Sequence, residues 1–247
     1  GAVYESVENA HIRYSPCRID GTDYENVYIS DTKPENPENG QYWLDTSGTV
    51  HALKQYSSST SAWIEIPTVY TRIEVAGIGK NFKEFDGVTI SGATCADADM
   101  KAQIEALNTD MILYGCGENY IIVTALIDKL AMQQSGSIKV ERKVPKMDYI
   151  CESNNRMWGC YYGMSPDGPL NEIYACKQGD PKNWHCFMGL STDSYMVSVG
   201  TDGPFTGAIA YLGYPLFFKE SCIHKVYGNY PGNYQMQTTT CRGVQKG

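Results

Sequence analysis

NEIYACKQGDPKNW (171–184) lies over SCIHKVYGNYPGNY (221–234) without a gap when the chain is slid along itself by fifty positions. Ile173 meets Ile223, Pro181 meets Pro231, Asn183 meets Asn233, and the next residue stays aromatic, Trp184 against Tyr234. Upstream, Tyr161 falls on Tyr211 and Gly163 on Gly213. Repeats of about 40–50 residues that read as short strands mark β-propeller blades, which stack sheets round an axis. Two copies fall short of the roughly 4–8 blades that close a ring. The repeat therefore predicts a partial propeller over 146–247, whose other blades belong to a longer protein or to other chains.

Strand-like text surrounds the repeat. RMWGCYY (156–162), EIYACK (172–177), SYMVSVG (194–200), GAIAYLG (207–213), YPLFFKE (214–220) and CIHKVYG (222–228) follow one another, with Asp-Gly-Pro turns at 167–169 and 202–204. Further upstream, YTRIEVAGIG (70–79), FDGVTISG (85–92), MILYGCG (111–117), YIIVTAL (120–126) and SIKVERKV (137–144) make about five strands, a set that suits a small closed or half-open barrel over 70–145. Within it, ADADMKAQIEAL (96–107) places Met100, Ile104 and Leu107 at helical spacing behind acidic Asp97 and Asp99, which predicts a short helix. LIDKLAMQQ (126–134) fits a helical turn or a strand. QYWLDT, VHALKQY and AWIEI form a small β module, residues 33–69, bracketed by Trp43 and Trp63 and entered through the linker TKPENPENG (32–40). Residues 1–32 read as N-terminal strands and turns, with a hairpin signal at Asp20-Gly21. The fold class is all-β with a minor α component.

Composition narrows the function classes. The 247 residues carry a net charge of −8, and tyrosine outnumbers phenylalanine and tryptophan, 19 against 6 and 4, as suits strands. That charge argues against a nucleic-acid or anionic-membrane surface. The most basic stretch, KVERKVPK (139–146), alternates like the wet face of a strand. The longest apolar runs, such as IIVTALI (121–127), are too short to insert in a membrane. Nine cysteines are an odd number, none lies in a C-x-x-C, and no N-x-S/T sequon occurs, so folding with reduced thiols in a cytosol is expected.

No motif for catalysis stands out. The four histidines, His11, His51, His185 and His224, form no H-E-x-x-H, and His185 beside Cys186, with Cys176 nearby, lacks the repeated spacing of a zinc site. A Cys–His pair can meet only in space. There is no G-x-S-x-G elbow, and Gly77-Ile78-Gly79 is a turn rather than a dinucleotide loop. Asp180, Asp167 and Asp202 sit in Gly/Pro turns, where a carboxylate accepts backbone hydrogen bonds. No metal or cofactor is expected. Trp43, Tyr56 and Trp63 are either the core of their small module or, if open, a platform on which a sugar ring stacks.

Certain phrases resemble a family of tail-associated structural proteins of double-stranded DNA bacteriophages, especially those of gut Firmicutes. They are NNRMWGCYYG (154–163), NEIYACKQGDPKNW, SVGTDGPFTGAIAYLGYPLFFKESCIHKVYG (198–228) and NYQMQTTTCRGV (233–244), with Cys176 where serine is usual in the family. Asp86–Gly92, Leu107-Asn108 and Asn119–Val123 are similar to a small β-barrel insert of those proteins, and Pro37–Ile66 resembles their Trp-bracketed modules. The resemblance spans most of 33–247 and implies a non-catalytic virion protein in the tail, tail tip or nozzle, assembled in the host cytoplasm. Other tail proteins or further copies of the chain would be its partners. An alternative reading is a module that binds a host surface glycan or receptor through Trp43, Tyr56 and Trp63. A third, a glycan-degrading propeller, demands carboxylates gathered at the centre of a closed ring.

Overall fold

A computed structural model describes residues 3–242 and 244. The chain separates into two compact units, with the boundary between Glu141 and Arg142. Among the described residues, twenty strands in four sheets and a single α-helix make up the fold, so the class is all-β as expected.

The N-terminal unit contains, in order, β1 (Val3–Glu5), β2 (Ile12–Cys17), β3 (Tyr28–Ser30), β4 (Tyr42–Asp45), β5 (Ala52–Ser57), β6 (Ala62–Glu65), β7 (Tyr70–Glu74), β8 (Gly87–Ser91), α1 (Ala98–Glu105), β9 (Asp110–Gly117), β10 (Tyr120–Val123), β11 (Ala131–Gln133) and β12 (Lys139–Arg142). Eight of these strands form one sheet in the order β1-β12-β8-β9-β10-β7-β2-β11. Its inward residues share one core, Ile12 and Tyr14 from β2 with Ile73, Val88, Leu113, Ile121 and Val140. The helix closes on that core through Met100 and Ile104, and Asp97 caps it by accepting from the Asp99 N–H at 3.0 Å.

No barrel closes here: β1 and β11 are the two edges of an open sheet. The gap beside β11 is crossed by a side chain. Gln133 accepts from the Tyr14 hydroxyl (2.6 Å) and the Thr94 N–H (3.2 Å), and donates to Gly92 O and Ser135 O (both 3.1 Å). Segment 126–134 forms no helix: only Ala131–Gln133 is regular, a strand in which Ala131 and Gln133 are buried while Met132 points out, a period of two. The N-terminal strands divide between two sheets. β1 and β2 belong to the large sheet, and β3 pairs parallel with β4, which adds a fourth strand to the small module β3-β4-β5-β6. Strands of three to six residues have too little surface to be stable unpaired.

The C-terminal unit contains β13 (Tyr149–Ser153), β14 (Arg156–Ser165), β15 (Gly168–Ala175), β16 (Tyr195–Ser198), β17 (Phe205–Tyr211), β18 (Tyr214–Lys219), β19 (Cys222–Tyr227), a 3-10 turn at Pro231–Asn233 and β20 (Gln235–Thr240). They form two antiparallel meanders of four strands each, β13-β14-β15-β16 and β17-β18-β19-β20, and each has the strand order of a propeller blade. Two such sheets do not make a ring. The fifty-residue echo aligns the third strands but not their faces, since Ile173 is buried between the meanders whereas Ile223 lies on the outer face. Ile173 and Ile223 lie on β15 and β19, and Pro181 and Pro231 lie on the connections to the fourth strands. Tyr161 is on a second strand but Tyr211 on a first, because β14 has ten residues where β18 has six.

The two meanders pack face to face. Trp158, Cys160 and Ile173 from one meet Phe205, Phe217 and Val226 from the other. The Trp158 ring contacts Tyr234 at 5.2 Å and Phe217 at 6.4 Å between centroids. Each such side chain, fully buried, contributes about 1.5–3 kcal/mol. Within this apolar layer lies Lys219, which is 0% exposed, its Nζ donating to Asn171 Oδ1 (2.8 Å), Thr201 O (2.7 Å) and Gly203 O (2.7 Å).

Candidate functional site

The connection 176–194, between β15 and β16, is held down by a buried arginine. The Arg156 guanidinium donates to the carbonyls of Cys176 (2.8 Å), Ser191 (2.8 Å) and Asp193. Asp193 in turn accepts from the backbone N–H groups of Met188 (2.5 Å), Gly189 (2.7 Å) and Leu190 (3.1 Å). A loop satisfied at this many backbone groups is a fixed surface.

Between this loop and the outer face of the first meander lies a groove of about 400 Å³. Its wall is mostly apolar, with Met164, Leu170, Trp184, Phe187 and Met196, and Lys143, Lys146, Asp167 and Glu172 also line it. Trp184 is fixed by its indole N–H to Pro181 O (2.9 Å) and packs with buried Tyr174. The Tyr174 hydroxyl donates to Glu172 Oε2 at 2.5 Å. Burial, and then the Glu172 carboxylate, push the Tyr174 pKa well above the usual phenol range. The groove is of ligand size, and its chemistry is that of a receptor for apolar side chains.

The outer face of the second meander is apolar too, in three cross-strand rows read from the register. Tyr211, Tyr214, Tyr227 and Gln235 form the first, and Ile209, Leu216, Lys225 and Gln237 the second. Gly207, Phe218, Ile223 and Thr239 form the third. Ile209 and Tyr211 are 52% and 60% exposed. The Lys225 ammonium sits 4.3 Å from both the Tyr214 and Tyr227 ring centroids. Sequence reading recognises the first three of these strands but not that Ile209 and Tyr211 stay exposed on this face, since exposure depends on tertiary packing.

The three aromatics proposed as a platform do come together. Trp63 lies 5.4 Å from both Trp43 and Tyr56, ring to ring. Yet Trp43 is only 6% exposed, donates its indole N–H to Ser30 O (3.0 Å) and carries the Lys54 ammonium 4.9 Å from its ring centroid. It therefore offers no open ring face, and it serves as the core of its module. Tyr56 and Trp63 are half-buried, and Tyr56 lines a shallow groove with Pro34 and Pro37.

A Cys–His approach exists at Cys222 and His224, Sγ to Nε2 3.7 Å, on alternate residues of β19. Both are buried between the meanders. His224 bridges the hydroxyls of Thr201 (2.8 Å) and Thr238 (2.9 Å). Burial, helped by the Lys219 ammonium, holds its pKa down at about 4, so the imidazole is neutral. This is a core hydrogen-bond network. His185 stacks edge-on against Phe187 at 4.9 Å, and Cys186 Sγ contacts Asp193 Oδ1 at 3.9 Å. No group of three or more metal-ligating side chains gathers among the described residues. Asp180 accepts the Lys182 N–H (3.3 Å) inside its turn. No helix among the described residues is long and apolar enough to cross a membrane.

Compared with known proteins, the chain matches no family model, no curated protein and no solved structure.

Proposed function

We propose that this protein is a non-catalytic structural component of a tailed-phage virion that works by packing rigid β modules against neighbouring subunits. The observation that carries the assembly part of this reading is the open outer face of the β17–β20 meander. There Ile209 and Tyr211 are exposed, and Tyr214, Leu216, Phe218, Ile223 and Tyr227 are half-buried on the same face, an apolar surface of the kind that marks interaction sites. Titratable side chains in the core, Lys219 and His224, are consumed by fixed hydrogen bonds between the sheets, which is consistent with a scaffold role. Assignment to a phage tail rests on the sequence resemblance of 154–163, 171–184, 198–228 and 233–244. Peptide mass spectrometry of purified, nuclease-treated particles tests it. The reading expects the chain in the particle at stoichiometric amounts that persist through density-gradient purification. Its recovery only from uninfected cell envelopes would refute the reading.

A further inference from the structure

β20 is the outermost strand of the second meander, and five of its six residues are exposed. It pairs with β19 in unbroken register, from Tyr227↔Gln235 to Cys222↔Thr240. The Cys241 N–H donates to Ser221 O (3.1 Å), which fixes the phase of that ladder. Gln235, Gln237 and Thr239 direct their main-chain groups at β19, so those of Met236, Thr238 and Thr240 turn outward. An outer strand with such a row is a template for another strand.

Edge strands are ordinarily blunted by shortness, proline, bulges or charge. Other edges of this molecule follow that rule. β1, β3 and β11 have three residues each, β16 has four, and β6 has four with Pro67 just beyond its end. β13 and β17 lie beside one another, and β17 is bulged at Phe205/Gly207. β20 has six residues with no charge, proline or bulge.

The occupant follows from what that edge can pair with. Set antiparallel to itself about Thr238, β20 places Thr238 opposite Thr238 and Met236 opposite Thr240. All outward N–H and C=O groups of the three residues are then used, in about six hydrogen bonds. A register centred on Gln237 or Thr239 carries Thr240 or Met236 past the end of the partner strand. About Thr238, Gln237 also stands opposite Thr239 twice on the outer face, where cross-strand side chains interact. No like charges meet. Arg242 falls opposite Tyr234. The two Lys225 ammoniums stand three strand spacings apart, about 14 Å, which exceeds the Debye length at physiological salt.

We infer that β20 of one copy pairs antiparallel with β20 of a second, about a two-fold axis through Thr238, so that two meanders become one sheet of eight strands. The pairing deepens the assembly reading above by naming its partner, and it rests on that reading only for its place in a particle. The axis runs perpendicular to the sheet, so the exposed Ile209 and Tyr211 of both copies lie on one side of it. The interface is isologous and closes as a dimer.

The test is sedimentation velocity of the purified chain as wild type, Gln237→Glu/Thr239→Glu and Gln237→Glu/Thr239→Lys. Amide exchange of the wild type is read residue by residue by NMR, above and below its dissociation constant. A glutamate at 237 stands beside Lys225 of its own chain, so both variants should melt with the wild-type monomer. The Glu/Glu variant sets like charges opposite one another at both 237–239 contacts and should associate about 10-fold more weakly. The Glu/Lys variant sets opposite charges there and should associate at least as tightly as wild type. Amides of Met236, Thr238 and Thr240 should be protected only in the dimer, and those of Gln237 and Thr239 in both states. A wild type that stays monomeric at all concentrations, a Glu/Glu variant that associates as wild type does, a Glu/Lys variant that fails to associate, or a dimer whose 236, 238 and 240 amides exchange as in the monomer would each overturn the inference. The two readings fail separately. A chain present in particles whose purified form stays monomeric sinks only the β20 pairing. A chain that dimerises through β20 yet is absent from particles sinks only the virion role.

Discussion

The Nζ of Lys219 lies 2.8 Å from Oδ1 of Asn171, joining β18 of the second meander to β15 of the first through a buried ammonium. No carboxylate is among its hydrogen-bonded acceptors; the charge is held by a side-chain amide, two backbone carbonyls and the face of Phe205, 4.6 Å from the ring centroid. Burial lowers the Lys219 pKa from its usual value. The unfolded chain therefore binds this proton more readily, and the site's contribution to stability rises with pH between the depressed value and the ordinary lysine value. Lys219→Met leaves three buried acceptors without a donor and should cost about 1–3 kcal/mol at pH 7. Urea melts of both proteins from pH 7 to 10.5 should show wild type gaining on the variant as pH rises.

His224 sets the acid limit of the same interface. Its pKa is held down at about 4, so the unfolded chain takes up a proton first as pH falls below the ordinary histidine value near 6.5. Stability is intact above that value and declines by about 3 kcal/mol on the way down to pH 4. In His224→Gln the slope between pH 6.5 and 4 should flatten, whatever the variant's stability at pH 7, when both are followed by tryptophan fluorescence in urea.

Gln133 takes the place of a closing strand in the large sheet. Its amide serves Tyr14, Thr94, Gly92 and Ser135 at once. Gln133→Leu is close in size but strands those partners, and it should destabilise by about 3 kcal/mol. Amide exchange should quicken first at Thr94, whose N–H loses its acceptor; unchanged protection there would contradict this role.

Trp43 is predicted to matter for folding. Trp43→Ala should cost about 3–5 kcal/mol, as large-to-small changes in a core do. Replacement of half-buried Trp63 should cost less. A Trp43→Ala protein with an unchanged melt would return the cluster to the status of a surface platform.

All nine cysteines are free thiols, and six of them are buried. Burial pushes Cys17 and Cys151 up to about 11 and Cys160 up to about 12, so at pH 8 they remain thiols and react poorly. Native iodoacetamide labelling should reach Cys241, half-exposed beyond β20, well before these three, and labelling in guanidinium should reach all nine.

Much of the fold was legible because its signals are local. The α1 helix announced itself through Met100 and Ile104 behind an acidic cap, and six strands of the two meanders, β14 to β19, through alternation and Gly turns. Three strands were harder to see. β20 has a single apolar residue, Met236, among polar ones. β13 carries Cys151 and Glu152 in the middle of a short segment, and β11 could pass for a helical turn because its length is three residues. The fifty-residue echo brought the third strands and their following loops into line, but with Ile173 facing inward and Ile223 outward. It misled upstream, where insertions in β14 shift the phase. The site was less legible. Trp43, Tyr56 and Trp63 do cluster, but aromatic clustering is what both a core and a platform require. The groove depends on a loop held by Arg156, and that is not written in residue spacing.

The central claim is that the outer face of the second meander is an assembly surface. Hydroxyl-radical footprinting of Tyr211, Tyr214 and Tyr227, in the isolated chain and in assembled particles, tests it most directly. The account predicts at least severalfold protection of Tyr211 on assembly, with Tyr4 and Tyr28 of the other unit as internal comparisons. Equal oxidation of Tyr211 in both states would contradict it.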